Sequence, residues 1–157
     1  MPEYVLEPAD PREPDIAALL ATHLEFANEH SPPEHVHALD VKKLSASDVS
    51  FFTLREGGGL LAVGAIREID PSHGEIKSMH TAQTARGRGI GRIMLDHLLE
   101  VARQRGYSRV SLETGTMEAF APARRLYESA GFVVTPPFGP YWENDYSVCM
   151  TLELVTT

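Results

Sequence analysis

The sequence predicts a single α/β (α+β) domain, residues 1–157, in which helices cover a mixed sheet. Three observations lead to this class. The length is that of one ordinary domain, and a composition with 43% hydrophobic and 23% charged residues is typical of a globular chain. A meander of strand-like segments comes first, and strands that alternate with amphipathic helices follow it, which is the order expected of a mixed architecture.

Strand-like segments dominate the first half of the chain. The sequence predicts a strand at YVLEP (Tyr4–Pro8) and a helix that begins near Asp15 and ends before the prolines of EHSPPEHVHALD. It predicts a hairpin of SFFTLR and LLAVGAIREID around residues 57–59, and the turn DPSHG then leads into a strand at residues 75–81. The helical spacing rests on Ile16, Leu19, Leu20 and Ala27.

Strands and amphipathic helices alternate in the second half. A helix is predicted over residues 89–105, with Gly106 directly after it as a C-cap glycine. RVSLET is predicted to be a strand, and PARRLYESAG a second helix with Pro122 in its first turn and Gly131 at its end. FVVT and SVCMTLEL complete the sheet. The apolar face of the helix predicted over residues 89–105 consists of Ile90, Ile93, Met94, Leu98 and Val101.

The stretch TARGRGIGR (residues 84–92) interleaves three glycines with three arginines where that helix begins. Glycines leave backbone N–H groups unobstructed at the positive end of a helix dipole, so the stretch is suited to an anion. Three arginines add charge, which favours a pyrophosphate over a single carboxylate. A solvent-exposed loop that ends in a glycine N-cap, without any bound anion, explains the same residues equally well.

Two common phosphate-binding motifs fit the chain poorly. G-x-x-x-x-G-K-[ST] does not occur, so a nucleoside triphosphatase would lack its phosphate-binding lysine. Gly89 and Gly91 give the G-x-G of a dinucleotide-binding fold, and Glu113 follows at a suitable distance, but Met94 stands at the third glycine position. A long meander also precedes the strand with which that unit would begin. A dinucleotide-binding oxidoreductase is therefore the less favoured alternative.

Residues 86–91, RGRGIG, also match the pattern R/Q-x-x-G-x-G/A, and here the chain resembles the GCN5-related N-acetyltransferase (GNAT) family. The resemblance covers most of the chain, with GEIKSMHT, SLETG, PARRLYESAGF and SVCMTLEL in the family's order. It implies a mostly antiparallel central sheet with helices on both faces, and acetyl-CoA as co-substrate. The cofactor-binding residues that it implies are Ser78, Met79, His80, Thr81, Arg86, Gly87, Arg88, Gly89, Ile90, Gly91, Arg92, Pro122 and Arg124.

Acetyl transfer to a primary amine needs a base, because the amine is an ammonium ion near neutral pH. Glu75 resembles in position the catalytic glutamate of the histone-acetylating members; the alternative is a strand-end glutamate that pairs with Lys77 or solvent. With regular alternation, Glu75, Lys77, Met79 and Thr81 share one face of the strand, opposite Ile76, Ser78 and His80.

Departure of the thiolate is easier beside a proton donor. Tyr127 lies where the family places its general acid, and by periodicity alone it is a core aromatic residue. His80 next to the thioester is a weaker catalytic candidate. His35 and His37 lack a third metal ligand at a recognisable spacing, so no metal is expected, and Cys149 within a strand is expected to be buried rather than nucleophilic.

Charge and apolar patterning limit the partners. The net charge of −8 argues against nucleic acid, and no apolar run approaches the roughly 20 residues of a membrane span. One cysteine and an N-terminus without a secretory pattern fit the cytoplasm. Tyr141 and Trp142 could form a wall for the acceptor or a homodimer contact, and the sequence does not choose. The segments expected near the acceptor are acidic, which favours a small cationic amine; they include Glu25, Glu29, Glu34, Asp40, Asp48, Glu143 and Asp145.

The function predicted from these residues is an acetyl-CoA-dependent N-acetyltransferase that acts on a primary amine, cationic or amino-acid-like, with Glu75 as base and Tyr127 as acid. Glu75 acts directly or through a water molecule. A non-catalytic acyl-CoA-sensing module on the same fold is the principal alternative.

Overall fold

A computed structural model describes residues 3–30, 44–138, 141 and 145–154, without the side chains of residues 26–30. Seven strands form one sheet in the order β1-β2-β3-β4-β5-β7-β6. Every neighbouring pair is antiparallel except β4 and β5, so the predicted mostly antiparallel sheet is confirmed. The strands are β1 (Tyr4–Pro8), β2 (Val49–Glu56), β3 (Gly59–Asp70), β4 (His73–Thr81), β5 (Arg109–Gly115), β6 (Val133–Thr135) and β7 (Ser147–Glu153).

Three α-helices, α1 (Pro14–His30), α2 (Ile90–Gln104) and α3 (Ala121–Ser129), and two short 3-10 helices, Gln83–Ala85 and Glu118–Phe120, complete the elements whose bounds the structure describes. Alternate residues of β3 face different helices. Val63 and Ala65 pack in a buried cluster with Ile16 and Leu20 of α1. Gly64, between them, lies so close to α2 that a Cβ atom there would be 2.9 Å from Met94 Cγ. Helices therefore cover both faces of the sheet, as predicted.

Glycines bound α2 at both ends. Gly89 is the N-cap with φ of 75°, and Gly106 follows the last turn with φ of 80°. Both values lie in the left-handed region, which glycine adopts without the steric cost that a Cβ atom adds. The predicted bounds of this helix agree with the structure to within one residue.

Strand β4 departs from the predicted regular alternation, which was wrong beyond Lys77. Ser78 has a φ of 53°, and the register with β3 shifts between the pairs Ala65–Lys77 and Val63–His80. One extra residue on β4 therefore opposes Gly64, which is a β-bulge. Because directly opposed residues share a face, His80 lies on the same face as Glu75 and Lys77, whereas Thr81 pairs with Ala62 and lies on the other face.

Strands β4 and β5 separate after a short contact. Their parallel pairing joins only His73 to Arg109, Gly74 to Val110 and Glu75 to Ser111, although both strands continue well beyond these residues. The sheet thus opens at Glu75, directly ahead of the N-terminus of α2. None of the described helices is long and apolar enough to cross a membrane.

Candidate active site

A cavity of about 520 Å³ lies where β4 and β5 separate, and the starts of α2 and α3 contribute to its wall. It brings together segments that are far apart in the sequence, including both predicted catalytic residues, Glu75 and Tyr127. The cavity is lined by every predicted cofactor-binding residue except Arg88 and Arg124, namely Ser78, Met79, His80, Thr81, Arg86, Gly87, Gly89, Ile90, Gly91, Arg92 and Pro122.

The loop before α2 presents its backbone to this cavity. Gly87 and Gly89 both have positive φ, and a Cβ atom at either position would meet no other atom of the described structure within 4 Å. Gly91, by contrast, is packed, since a Cβ atom there would lie 3.3 Å from Leu126. The first N–H groups of a helix have no intrahelical acceptor, so this loop offers unobstructed donors at the positive end of α2.

The arginines of the loop have different roles. Arg88 points away from the cavity, and its Nη2 lies 3.0 Å from Glu56 Oε1 and 3.1 Å from the Tyr4 hydroxyl. Arg92 lines the cavity, although its Nε also contacts Asp96 at 2.9 Å. Arg86 and Arg92 are therefore the two loop arginines whose residues border the cavity.

Arg124 supports the wall of the cavity from behind. Its Nη1 donates to the carbonyl oxygens of Gly115, at 2.6 Å, and Met117, at 3.0 Å. These bonds tie α3 to the end of β5. The guanidinium thus holds two elements together, and its residue is not among those that line the cavity.

Glu75 sits in a buried network of charged and polar groups. Its side chain is 0% exposed, and Arg67 Nη2 donates to Oε1 at 2.8 Å. The Tyr141 hydroxyl donates to Oε2 at 2.5 Å, and Lys77 Nζ lies 3.3 Å from the same oxygen. Lys77 Nζ also contacts the Tyr141 hydroxyl. Both carboxylate oxygens therefore already have strong donors.

Burial shifts the ionisation of the groups around Glu75. Desolvation lowers the pKa of Lys77 from its ordinary value, against the opposing attraction of Glu75. Desolvation, followed by the charge of Glu75, raises the pKa of Tyr141 above its ordinary value. Tyr141 is consequently a neutral phenol at neutral pH.

Sequence reasoning did not foresee the contact of Tyr141 with Glu75. The two residues are 66 positions apart, and no spacing rule relates them. The Arg67–Glu75 pair had a local signal, because opposite charges stand on neighbouring strands of one hairpin, where they lie directly opposite each other.

Tyr127 occupies the helical side of the cavity. The residue is 7% exposed, and its ring packs against that of Phe132 with centroids 5.8 Å apart. Burial raises its pKa to about 12, so the hydroxyl keeps its proton at neutral pH. Within the described residues the hydroxyl has no hydrogen-bond partner.

Two buried imidazoles form a pair on the wall next to α1. His23 Nδ1 and His80 Nδ1 are 3.1 Å apart, and both residues line the cavity. Burial lowers the pKa of each to about 4, and His23 and Arg86 add to the shift at His80. The pair is therefore uncharged at neutral pH and shares one hydrogen bond.

The remaining candidates are distributed between the cavity and other parts of the chain. The Oγ atom of Ser78, at the bulge, is buried and has no partner within the described residues. In the same residues, no group of three or more His, Cys, Asp and Glu is placed to hold a metal ion. Cys149 is buried, and burial raises its pKa to about 11. His35, His37, Glu34, Asp40, Trp142 and Glu143 lie outside the described residues, as does the side chain of Glu29.

Comparisons with known proteins agree with this architecture. The model of the acetyltransferase (GNAT) family matches residues 15–132. The uncharacterized N-acetyltransferase YsnE of Bacillus subtilis is 45% identical over 139 residues, which are 88% of this chain and 92% of the relative. The IAA acetyltransferase of Azospirillum brasilense is 33% identical over 96% of this chain and 97% of its own.

A solved structure shows the same fold at lower identity. A GNAT family acetyltransferase from Elizabethkingia anophelis, with acetyl-CoA bound, is 20% identical and superposes with a TM-score of 0.70. The match covers 96% of this chain and 98% of that one.

Proposed function

Because this chain belongs to the GNAT family of N-acetyltransferases, whose co-substrate is acetyl-CoA, we propose that it acetylates a primary amine by direct attack, with Glu75 as base and Tyr127 as acid. The observation that carries this proposal is the cavity where β4 and β5 separate. It brings Glu75, Tyr127 and the glycine loop before α2 to one space, although they lie on three different elements.

The residues of the cavity fit acetyl-CoA. Gly87 and Gly89 leave room for a pyrophosphate directly at the backbone, and Arg86 and Arg92 border the same space with positive charge. The buried Ser78 Oγ needs a hydrogen-bond partner, which the polar pantetheine arm can supply. Acetyl-CoA supplies the activated acetyl group as a thioester.

In this proposal the chain moves protons at two places. A proton leaves the substrate ammonium for Glu75, which frees the nitrogen lone pair for attack on the thioester carbonyl carbon. Tyr127 gives its hydroxyl proton to the sulfur as the C–S bond breaks. The nitrogen loses a second proton as the amide forms, and this proton restores Tyr127.

The lack of a hydrogen-bond partner supports the acid role of Tyr127. Tyr127 lines the cavity, and its hydroxyl has no hydrogen bond within the described part of the chain and is not among the fully buried polar atoms there that lack a partner, so the hydroxyl oxygen is open to the cavity. Its pKa of about 12 keeps the proton available at neutral pH.

Of the two predicted acceptor classes, a small cationic amine and an amino-acid-like amine, charge favours the small cationic amine. Glu113 lines the cavity together with Glu75, and the exposed Glu25 and Asp145 lie on segments that the sequence places near the acceptor. Acidic groups attract an ammonium ion and disfavour an anionic acceptor.

The test measures thiol release from acetyl-CoA with a panel of amines, for the wild type and for Glu75→Gln. We expect a cationic amine to be acetylated, and the variant to lose about 10²- to 10⁴-fold in kcat/KM while it still binds acetyl-CoA in calorimetry. The deficit should shrink as pH rises, because more free amine is then present.

Glu68→Gln is the matched control, since Glu68 accepts a hydrogen bond from Tyr107 and does not line the cavity. It should keep the wild-type turnover. Full activity of Glu75→Gln at neutral pH would remove Glu75 as the base. Binding of acetyl-CoA without release of thiol for any amine would favour the non-catalytic acyl-CoA-sensing alternative.

A further inference from the structure

Glu75 is too well enclosed to take a proton directly from a substrate. Its side chain is 0% exposed, and its two oxygens are occupied by Arg67 on one side and by Lys77 and Tyr141 on the other. An amine that reached Oε2 would have to displace one of these donors. A buried charge that loses its partner is strongly disfavoured, so such displacement is costly.

We propose that Tyr141 is a further catalytic residue, which takes the proton of the substrate ammonium and passes its own hydroxyl proton to Glu75. This inference rests on the proposed role of Glu75 as the base. Tyr141 lines the same cavity as Glu75 and Tyr127, and its hydroxyl already donates to Glu75 Oε2 at 2.5 Å. The first of the two hydrogen bonds of such a relay is therefore formed before the substrate binds.

The protons balance along this path. One N–H bond of the ammonium breaks and an O–H bond forms on the Tyr141 oxygen, while the original O–H bond of Tyr141 breaks and its proton forms an O–H bond with Glu75. The nitrogen lone pair attacks the thioester carbon. Tyr141 is unchanged at the end, and Glu75 returns its proton to solvent by the reverse path.

The surroundings of Tyr141 suit a relay. The ring is held in place, since Phe138 packs against it edge to face with centroids 5.1 Å apart, and Lys77 Nζ lies 5.2 Å from its centroid. Its residue is 8% exposed, so little water competes for the hydroxyl. The charged groups that act on it are Glu75 and Lys77 of β4, Arg67 of β3 and Glu113 of β5.

Lys77 stabilises the negative charge during proton transfer. Its ammonium contacts both the Tyr141 oxygen and Oε2 of Glu75. It therefore lies next to the negative charge whichever of these two oxygens holds the proton. The raised pKa of Tyr141 agrees with this picture, because the group must carry a proton before each turnover.

The test is Tyr141→Phe, which removes the hydroxyl and keeps the ring. We expect the single-turnover rate of acetyl transfer to fall by about 10²-fold or more, with acetyl-CoA affinity unchanged and the deficit shrinking as pH rises. Because both groups serve one proton path, the double variant Tyr141→Phe/Glu75→Gln should be no slower than the slower single variant.

The matched control is Tyr107→Phe. Tyr107 is also buried and donates to a carboxylate, Glu68, at 2.9 Å, but it lies outside the cavity. It should lose stability and keep its turnover per folded molecule.

The outcomes separate the relay from the proposed function. A full-rate Tyr141→Phe beside a slow Glu75→Gln would overturn the relay and keep Glu75 as the base. Multiplicative losses in the double variant would also overturn the relay. A full-rate Glu75→Gln would overturn both proposals. If Tyr141→Phe does not fold, the single-turnover rate of Tyr127→Phe, in which Tyr127 no longer contributes a moving proton, is measured in mixtures of H₂O and D₂O: a curved dependence supports two protons in motion, and a linear one overturns the relay.

Discussion

At the scale of single residues, tyrosine hydroxyls differ in their hydrogen-bond partners. Those of Tyr107 and Tyr141 donate to carboxylates, whereas that of Tyr127 has no partner within the described residues. A hydroxyl without a partner contributes little to stability, so its removal tests chemistry rather than packing.

Tyr127→Phe should therefore leave the melting temperature nearly unchanged and lower kcat by about 10²-fold or more. The loss should shrink with an acyl donor whose thiol is more acidic, because that thiolate leaves with less help. Melting temperature and kcat measured on one preparation check this expectation. Wild-type turnover in the variant would assign Tyr127 to packing.

Residue chemistry was only partly visible in the sequence. Glu75 and Tyr127 could be chosen from a family resemblance. Nothing in their spacing along the sequence argued against a shared cavity. Tyr141 could not be assigned in this way, because its contact with Glu75 joins residues that are 66 positions apart. Such long-range contacts leave no periodic signal.

At the scale of elements, the glycine loop and α2 form the part of the site that the sequence described best. The bounds of α2 follow from local rules, namely an apolar stripe and a glycine at each end. The bulge at Ser78 did not follow, because it arises from the register between β3 and β4 rather than from the residues of β4 alone.

Gly89→Leu should weaken acetyl-CoA binding while the fold is kept. The new side chain would enter the space in front of the α2 N-terminus, and a positive φ would add a strain of about 1–2 kcal/mol. Gly106→Leu is the control, because Gly106 has nearly the same φ, equally open surroundings and a position at the other end of α2.

Calorimetric titration with CoA and thermal unfolding separate the two effects. Both variants should lose similar stability, and only Gly89→Leu should lose affinity. Equal affinities for the two variants would place the phosphates elsewhere.

At the scale of the whole molecule, the fold class was the property most easily predicted from the sequence. The order of strands and helices predicts a mixed sheet, and the structure has one with seven strands. The position of β7 between β5 and β6, and the early separation of β4 from β5, are topological features that no short segment encodes.

The stability of the whole molecule should fall as pH drops from about 6.5 to about 4. In this window the unfolded chain protonates His23 and His80, whose native pKa values are about 4, so the unfolded state binds more protons. Above the window both states are neutral at these positions, and below it both are charged.

His23→Gln removes one of these titrations and should make the pH dependence of the urea midpoint shallower between pH 6.5 and 4. The carboxyl groups of Asp10, Asp15 and Asp70 have pKa values below their ordinary value of 3.8, so they act below the window. Burial also lowers the pKa values of His73 and His97, which contribute equally in the wild type and in the variant. An unchanged slope would show that His23 does not contribute to acid sensitivity.

The separation of β4 from β5 also affects how cooperatively the sheet unfolds. Within the described residues, three backbone pairs join the ladder of β1 to β4 to the ladder of β5, β7 and β6, although side chains of both ladders share one buried cluster. The junction therefore has few backbone hydrogen bonds to lose, which favours local opening there. A ligand that contacts both strands across the gap adds contacts at this junction and so raises the free energy of such opening.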